Sequence, residues 1–442
     1  RMTKTAAHPG LPCQPDQDWS EKWRADPRPR PLAKTTDALP LAGIRVLEIA
    51  TIIAAPLGAS FLADMGAEVI KIEQVNGDPY RGLAMGVGSA RVNAGKRSIS
   101  LNLKSAEGQA IAVKLAASAD VLIHNYRPGV PEKLGIGYDQ ICAVNPNIVY
   151  LQVNGYGPDG PGAQRPSTHP IPGAAMGGVL YQMGGRIPAE QQDIPALRTW
   201  TRRLMRANEL NPDPNTAMVV CSSALLGLNA RKQTGQGQRI LIDMFGANAY
   251  ANYDDFIAYA GKPERTMPDA GLHGLHPTYR LYAAAEEQWV FLAIPEEKER
   301  RHFVECLSAL GMAVDSSILD GNDEATVQHL SEIFLRKDAE FWEAQLATQG
   351  VGCVRADRYN PVEFWWHDPQ VHALELTQPT EHPAWGAYDR HGANVTFGGR
   401  QPQLQPPPTA GQHGDELLAE IGYDEAAIAK LFANGIVWRE QA

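Results

Sequence analysis

Hydrophobic positions along this chain follow two periods, and the alternation between them predicts its architecture. Residues 44–49, 68–73 and 98–103 are short runs dense in Val, Ile and Leu, the length and composition of buried strands. Between the first two, Pro56 opens an apolar stretch through Met65 that predicts a helix, because proline is tolerated in a first turn. Residues 105–118 predict an amphipathic helix with Ser105 as N-cap and Glu107 in its first turn. Residues 120–124 and 147–151 are two further short strands. Strands alternating with helices imply a parallel sheet covered on both faces, a Rossmann-like α/β domain over 41–250.

The pattern breaks at 181–212, where Gln, Arg and Pro follow no period. A long apolar helix is predicted again over 215–232, then a glycine turn at 234–238 and a strand at 239–244. Beyond His276, residues 279–282 and 289–293 alternate as paired strands do, with helical patterns after them. Residues 273–355 therefore read as a small α+β domain. A proline-rich linker occupies 402–408 and a terminal helical pair 416–434, while 1–40 reads as an extended arm or a disordered tail.

Composition narrows the class. With 442 residues, 44% of them hydrophobic, the chain is long enough for two or three structural units. A net charge of −10 argues against a nucleic-acid binder. No run reaches the roughly 18–20 apolar residues of a membrane span, and the N-terminus lacks a charged-then-apolar signal, which together predict a cytoplasmic protein. Five scattered cysteines without CxxC spacing suggest neither a metal site nor a redox pair.

Candidate chemistry lies near predicted strand ends. The run from Gly155 to Gly160 matches GxGxxG formally, but Pro158 and Pro161 forbid the helix a dinucleotide site needs, so it reads as a turn. Lys71, Lys96 with Arg97, and Arg127 sit near strand ends and are candidates for a phosphate-bearing ligand. The loop from His124 to Gly129 joins Asn125, Tyr126 and Arg127. Amide, aromatic face and guanidinium together suit an adenine or pyrophosphate, although a rigid turn would look similar.

The blocks Leu41 to Glu48, Leu62 to Glu73, Gly95 to Ser98, Asn125 to Gly129 and Asn154 to Gly157 resemble, in order and spacing, the CaiB/BaiF or class III CoA-transferases. So do Gly235 to Gln238, His276 to Arg280 and Gly411 to His413. The resemblance implies a Rossmann-like large domain that binds CoA and a small domain, with 360–442 returning to the large one. It further implies two chains threaded through each other as interlocked rings. CoA or an acyl-CoA would be the substrate, with no covalently bound cofactor and no metal. Ile52 and Ala54, with Lys71, Lys96 and Arg97, fall at its CoA-contacting positions, as do Asn125, Tyr126 and Arg127.

In that family an aspartate attacks the acyl-CoA thioester and forms a mixed anhydride. It sits in a block resembling Arg-Pro-Gly-Tyr-Asp. Here the block runs from Arg165-Pro166-Ser167-Thr168-His169-Pro170 to Ala175-Met176. One alignment places Pro170 at the aspartate and the other His169; neither supplies a carboxylate. The resemblance then implies one of three things. The chain is the Asp-lacking subunit of a heteromer, as in the succinyl-CoA:benzylsuccinate CoA-transferase of toluene degradation, with an Asp-bearing homologous partner. Or it is a 2-methylacyl-CoA racemase-like enzyme using His169 and Asp213. Or it is a CoA-binding scaffold without turnover. Arg186, Arg198, Arg202, Arg203 and Arg206 make 181–212 locally basic, suited to a dicarboxylic substrate, a partner's acidic face or plain solvent.

Overall fold

The computed structural model describes residues 38–441 except 84–85, 168–170, 177–192, 198–211, 252–256, 264–265, 267, 270, 313, 315–318, 320–323, 383–384, 398–401 and 403. The described residues form two compact units. One gathers those within 1–179, 208–257 and 375–442, the other those within 180–207 and 258–374.

The first unit is built on a sheet of strands β1 (Arg45–Ile49), β2 (Glu68–Glu73), β3 (Lys96–Leu101), β4 (Val121–His124), β5 (Val149–Asn154) and β6 (Gln238–Asp243). These six run parallel in the order 3-2-1-4-5-6, and Val437–Trp438 adds antiparallel beside β3. The period-2 pattern sorts the side chains of each strand to two faces. Leu47, Ile49, Ile70, Ile72, Leu122 and Tyr150 enter one core with Ile111 and Leu115 of α2 (Ala106–Ala117). Val46, Val69, Val121, Ile123, Val149 and Leu151 enter the other, against Ala55, Ala59 and Leu62 of α1 (Ala54–Asp64) and Val220 of α3 (Pro212–Thr234). Burying one Leu or Ile is worth about 1.5–3 kcal/mol, so a one-residue slip that exchanged the faces would be expensive.

Local chemistry closes these elements. Ser105 Oγ accepts the Gly108 N–H at 3.0 Å, the predicted N-cap of α2. Gly58 lets α1 approach α3, since a Cβ there would lie 2.7 Å from Val220 Cγ1. Strand β3 begins at Lys96, two residues before its apolar run, because Lys96 and Arg97 pair in register with Val69 and Ile70.

The second unit carries an antiparallel sheet in the order Cys353–Arg355, Trp289–Ala293, Tyr279–Ala283, Gly274–His276. Phe303, Leu330, Phe334 and Trp342 of its helices fill that unit's core. This unit runs to Leu374, and the chain rejoins the first unit at Glu375. There Gly414–Glu420 and Glu425–Ala433 form two helices whose Leu417, Leu418, Ile428 and Leu431 join the α2 face of the core. Among the described residues no helix is long and apolar enough to cross a membrane. Residues 1–37, most of 181–212, and both His169 and Pro170 lie outside the described residues.

Candidate active site

Strand order reverses between β1 and β4, and a parallel sheet opens its crevice at the carboxyl ends of such strands. The loops leaving these two strands are tied together there. Thr51 N–H donates to Asn125 Oδ1 at 3.1 Å, and Asn125 Nδ2 donates back to Thr51 O at 2.8 Å. The next residue, Ile52, has φ 69°, a left-handed conformation that costs a β-branched residue on the order of 1–3 kcal/mol. Its N–H is held by both carboxylate oxygens of Asp78 at 3.2 Å. A cleft of about 190 Å3 opens at this point, lined by residues 51–54 and by Asn125, Arg127, Asn154, Arg165, Ser167 and Asp213.

Beneath it runs a buried ionic chain. Lys71 Nζ donates to Glu48 Oε1 at 2.9 Å, Ala50 O at 3.0 Å and Asp78 Oδ2 at 2.9 Å, while Lys96 Nζ donates to Glu48 Oε2 and, at 2.7 Å, to Pro56 O. Burial disfavours the charge on Lys71, but the carboxylates of Glu48, Asp78 and Glu73 outweigh it and its pKa rises. Lys96 is pushed down to about 8: burial dominates and neighbouring Lys71 adds to it, only partly offset by Glu48. Glu73 completes the support. Burial raises its pKa, yet Arg81, Lys71 and Ser98 together bring it down to about 2. Its two oxygens hold Arg81 Nε at 2.7 Å and Nη2 at 2.8 Å.

The structure thus brings part of the predicted set to the cleft. Ile52, Ala54, Asn125 and Arg127 line it, and so does Asp213, buried in the first turn of α3. Lys71 and Lys96 do not, because their side chains have no exposure and both ammoniums neutralise carboxylates below the floor. Arg97 is at the amino end of β3, away from the carboxyl-end crevice, and pairs with Glu68 and Glu420 at 2.7 Å each. Tyr126 packs against the core on the α2 face and stacks on His124, with ring centroids 6.0 Å apart. His124 is wholly buried, and burial with Arg239 nearby brings its pKa down to about 3, so it is neutral. Residues 155–160 form no helix, in keeping with a turn.

Four site residues escaped the sequence reading: Asp78, Asn154, Arg165 and Ser167. Asp78 had a signal, an acidic residue before Pro79 in a turn, where it caps Tyr80 N–H at 2.9 Å. Arg165 and Ser167 open the block in which the family's aspartate is missing, and nothing in their local pattern marks them apart from that block.

This switch-point cleft on a 3-2-1-4-5-6 sheet is that of a Rossmann-like fold. CoA-transferase family III matches the chain over residues 41–414, and the chain belongs to that family. An acyl-CoA transferase of Fusarium pseudograminearum is 30% identical, with 90% of this chain and 88% of that protein covered. The beta subunit of a succinyl-CoA–L-malate CoA-transferase of Chloroflexus aurantiacus is 32% identical, over 68% of this chain and 72% of that subunit. The mouse succinyl-CoA:glutarate CoA-transferase is 27% identical over 92% of each. Among solved structures, a CaiB/BaiF family protein of Brucella suis superposes with a TM-score of 0.66 at 24% identity, covering 87% of this chain and all of that one, a likeness of fold.

Proposed function

We propose that this chain is the subunit without a nucleophile in a heteromeric CoA-transferase that moves CoA between carboxylic acids. A homologous subunit bearing the aspartate does the chemistry. The observation that carries this reading is the segment from Arg165 to Met176, which contains no Asp or Glu at all. Pro170 has no side-chain nucleophile, and His169 cannot form an anhydride. Support for a paired enzyme comes from the Chloroflexus relatives, which are named as alpha and beta subunits of one transferase. In this reading CoA leaves succinyl-CoA for a second acid, a substituted succinate such as an aromatic one. The cleft at the β1–β4 switch point is where an acyl-CoA binds, and the two subunits thread as interlocked rings.

Expressed alone, the chain gives no CoA transfer; co-expressed with an Asp-bearing homologue, it gives an active complex. In that complex His169→Ala costs little, whereas replacing the partner's aspartate abolishes turnover. Transfer by the isolated chain contradicts the reading, and a complex without transfer leaves only a CoA-binding scaffold.

One observation favours a second reading: Asp213 is only 4% exposed and yet lines the cleft. A racemase-like enzyme would use it with His169 as the two acid–base groups beside an α-proton. Then His169→Ala stops exchange of the α-proton of a 2-methylacyl-CoA, and no partner is needed.

A further inference from the structure

Within the first unit, Arg45, Arg81, Arg97, Arg231 and Arg390 each hold a carboxylate. The two arginines lining the cleft hold none among the described residues. Arg127 donates Nη1 to Gln164 O at 3.1 Å, and Gln164 Nε2 donates to Pro128 O at 3.3 Å, which stitches the two rim loops together. The Arg165 guanidinium lies over the Tyr156 ring, 6.0 Å from its centroid, and Phe245 backs that ring edge-on at 5.0 Å. Stacking occupies one face of a guanidinium and leaves the N–H groups along its edge free to bond.

Further donors surround it. Asn154 is 8% exposed, and its Oδ1 accepts the Gly157 N–H at 2.8 Å. Its Nδ2 adds a second amide donor at the cleft. Ser167 packs directly on Gly155, where a Cβ would lie 2.0 Å from Ser167 Oγ, and its hydroxyl donates to Met244 Sδ at 3.8 Å, a weak acceptor that a carboxylate oxygen can replace. The cleft is therefore rich in donors, with Asp213 the single carboxylate among its lining residues.

We infer that Arg165, with Asn154 and Ser167, binds the free carboxylate of a dicarboxylic acyl group, making Arg165 the residue that selects such acyl-CoAs. This rests on the reading of the cleft as an acyl-CoA site. A carboxylate fits the planar fork of a guanidinium through two parallel hydrogen bonds.

Carboxylate and phosphate oxygens would both suit these donors, and three ligands separate them. Calorimetry on the full chain compares succinyl-CoA, butyryl-CoA (the same acyl length without the carboxylate) and free CoA. Arg165→Gln is expected to weaken succinyl-CoA by roughly ten- to a hundredfold, the range for a charged hydrogen bond. The other two ligands should change by less than about twofold, and Arg165→Lys should restore part of the loss. Equal weakening of all three assigns Arg165 to the CoA phosphates and overturns the inference. So does unchanged succinyl-CoA binding by the variant, or no succinyl-CoA binding by the unmutated chain. Transfer by the isolated chain would refute the missing nucleophile while leaving this selectivity intact, so the two failures are distinguishable.

Discussion

Lys71 lies between Glu48 and Asp78 with no exposed side chain, whereas Arg165 stands exposed over Tyr156 with no carboxylate beside it among the described residues. Both are cations near the carboxyl ends of one sheet. The first is satisfied by the protein and fixes the cleft from below: Lys71 positions Asp78, Asp78 holds the Ile52 N–H, and Ile52 stays left-handed beside Asn125. The second is not satisfied and so is available to a ligand. Charge near a strand end is thus no guide to binding until its partners are known.

The contrast breaks most visibly at Lys71. Lys71→Ala leaves Glu48 with Lys96 alone and Asp78 without its buried ammonium, and removing one partner of a buried pair costs about 3–5 kcal/mol. Denaturant unfolding measures it; a loss below about 1 kcal/mol would mean that the chain of charges carries little of the fold.

Next in size is an acid limb. Glu73 is depressed in the folded state, so its contribution is full above its ordinary 4.5 and is lost as pH falls toward about 2. That window is worth about 3 kcal/mol. Stability measured from pH 5 to 2 should fall, and Glu73→Gln should be less stable at neutral pH and flatten that fall. An equally steep limb in the variant would assign it to other carboxylates.

The rim behaves oppositely. Arg127→Ala should weaken CoA by roughly 1.5–3 kcal/mol, the range for a charged hydrogen bond, as read by calorimetry. Unchanged affinity removes Arg127 from the site. Smallest of all, Arg165→Gln should shift unfolding by less than about 0.5 kcal/mol, because an exposed arginine without an ion pair holds nothing in place. A larger loss would give Arg165 a structural role and blur the comparison.

The sheet was legible because both faces are buried: β1, β2 and β4 are dense in Val, Ile and Leu, and the Ser105 cap sits where its hydroxyl and the pattern after it place it. The start of β3 was not, since Lys96 and Arg97 look like loop residues until their register with β2 is known. Of the residues that motif order singles out, Ile52, Asn125, Arg127 and Asp213 line the cleft. Lys71 and Lys96 were misplaced for a physical reason. A sequence shows a lysine's charge but not the buried Glu48 that neutralises it from another strand. Arg165 was overlooked because what distinguishes it is a missing partner, which no linear pattern records.

The central claim is that this chain carries no nucleophile for acyl transfer, and incubating it alone with succinyl-CoA tests that directly. Intact-mass measurement should find no succinyl adduct on the protein and no release of free CoA above the rate without protein. A covalent succinyl group on one of its own carboxylates, with Asp213 the first to inspect, would contradict the account.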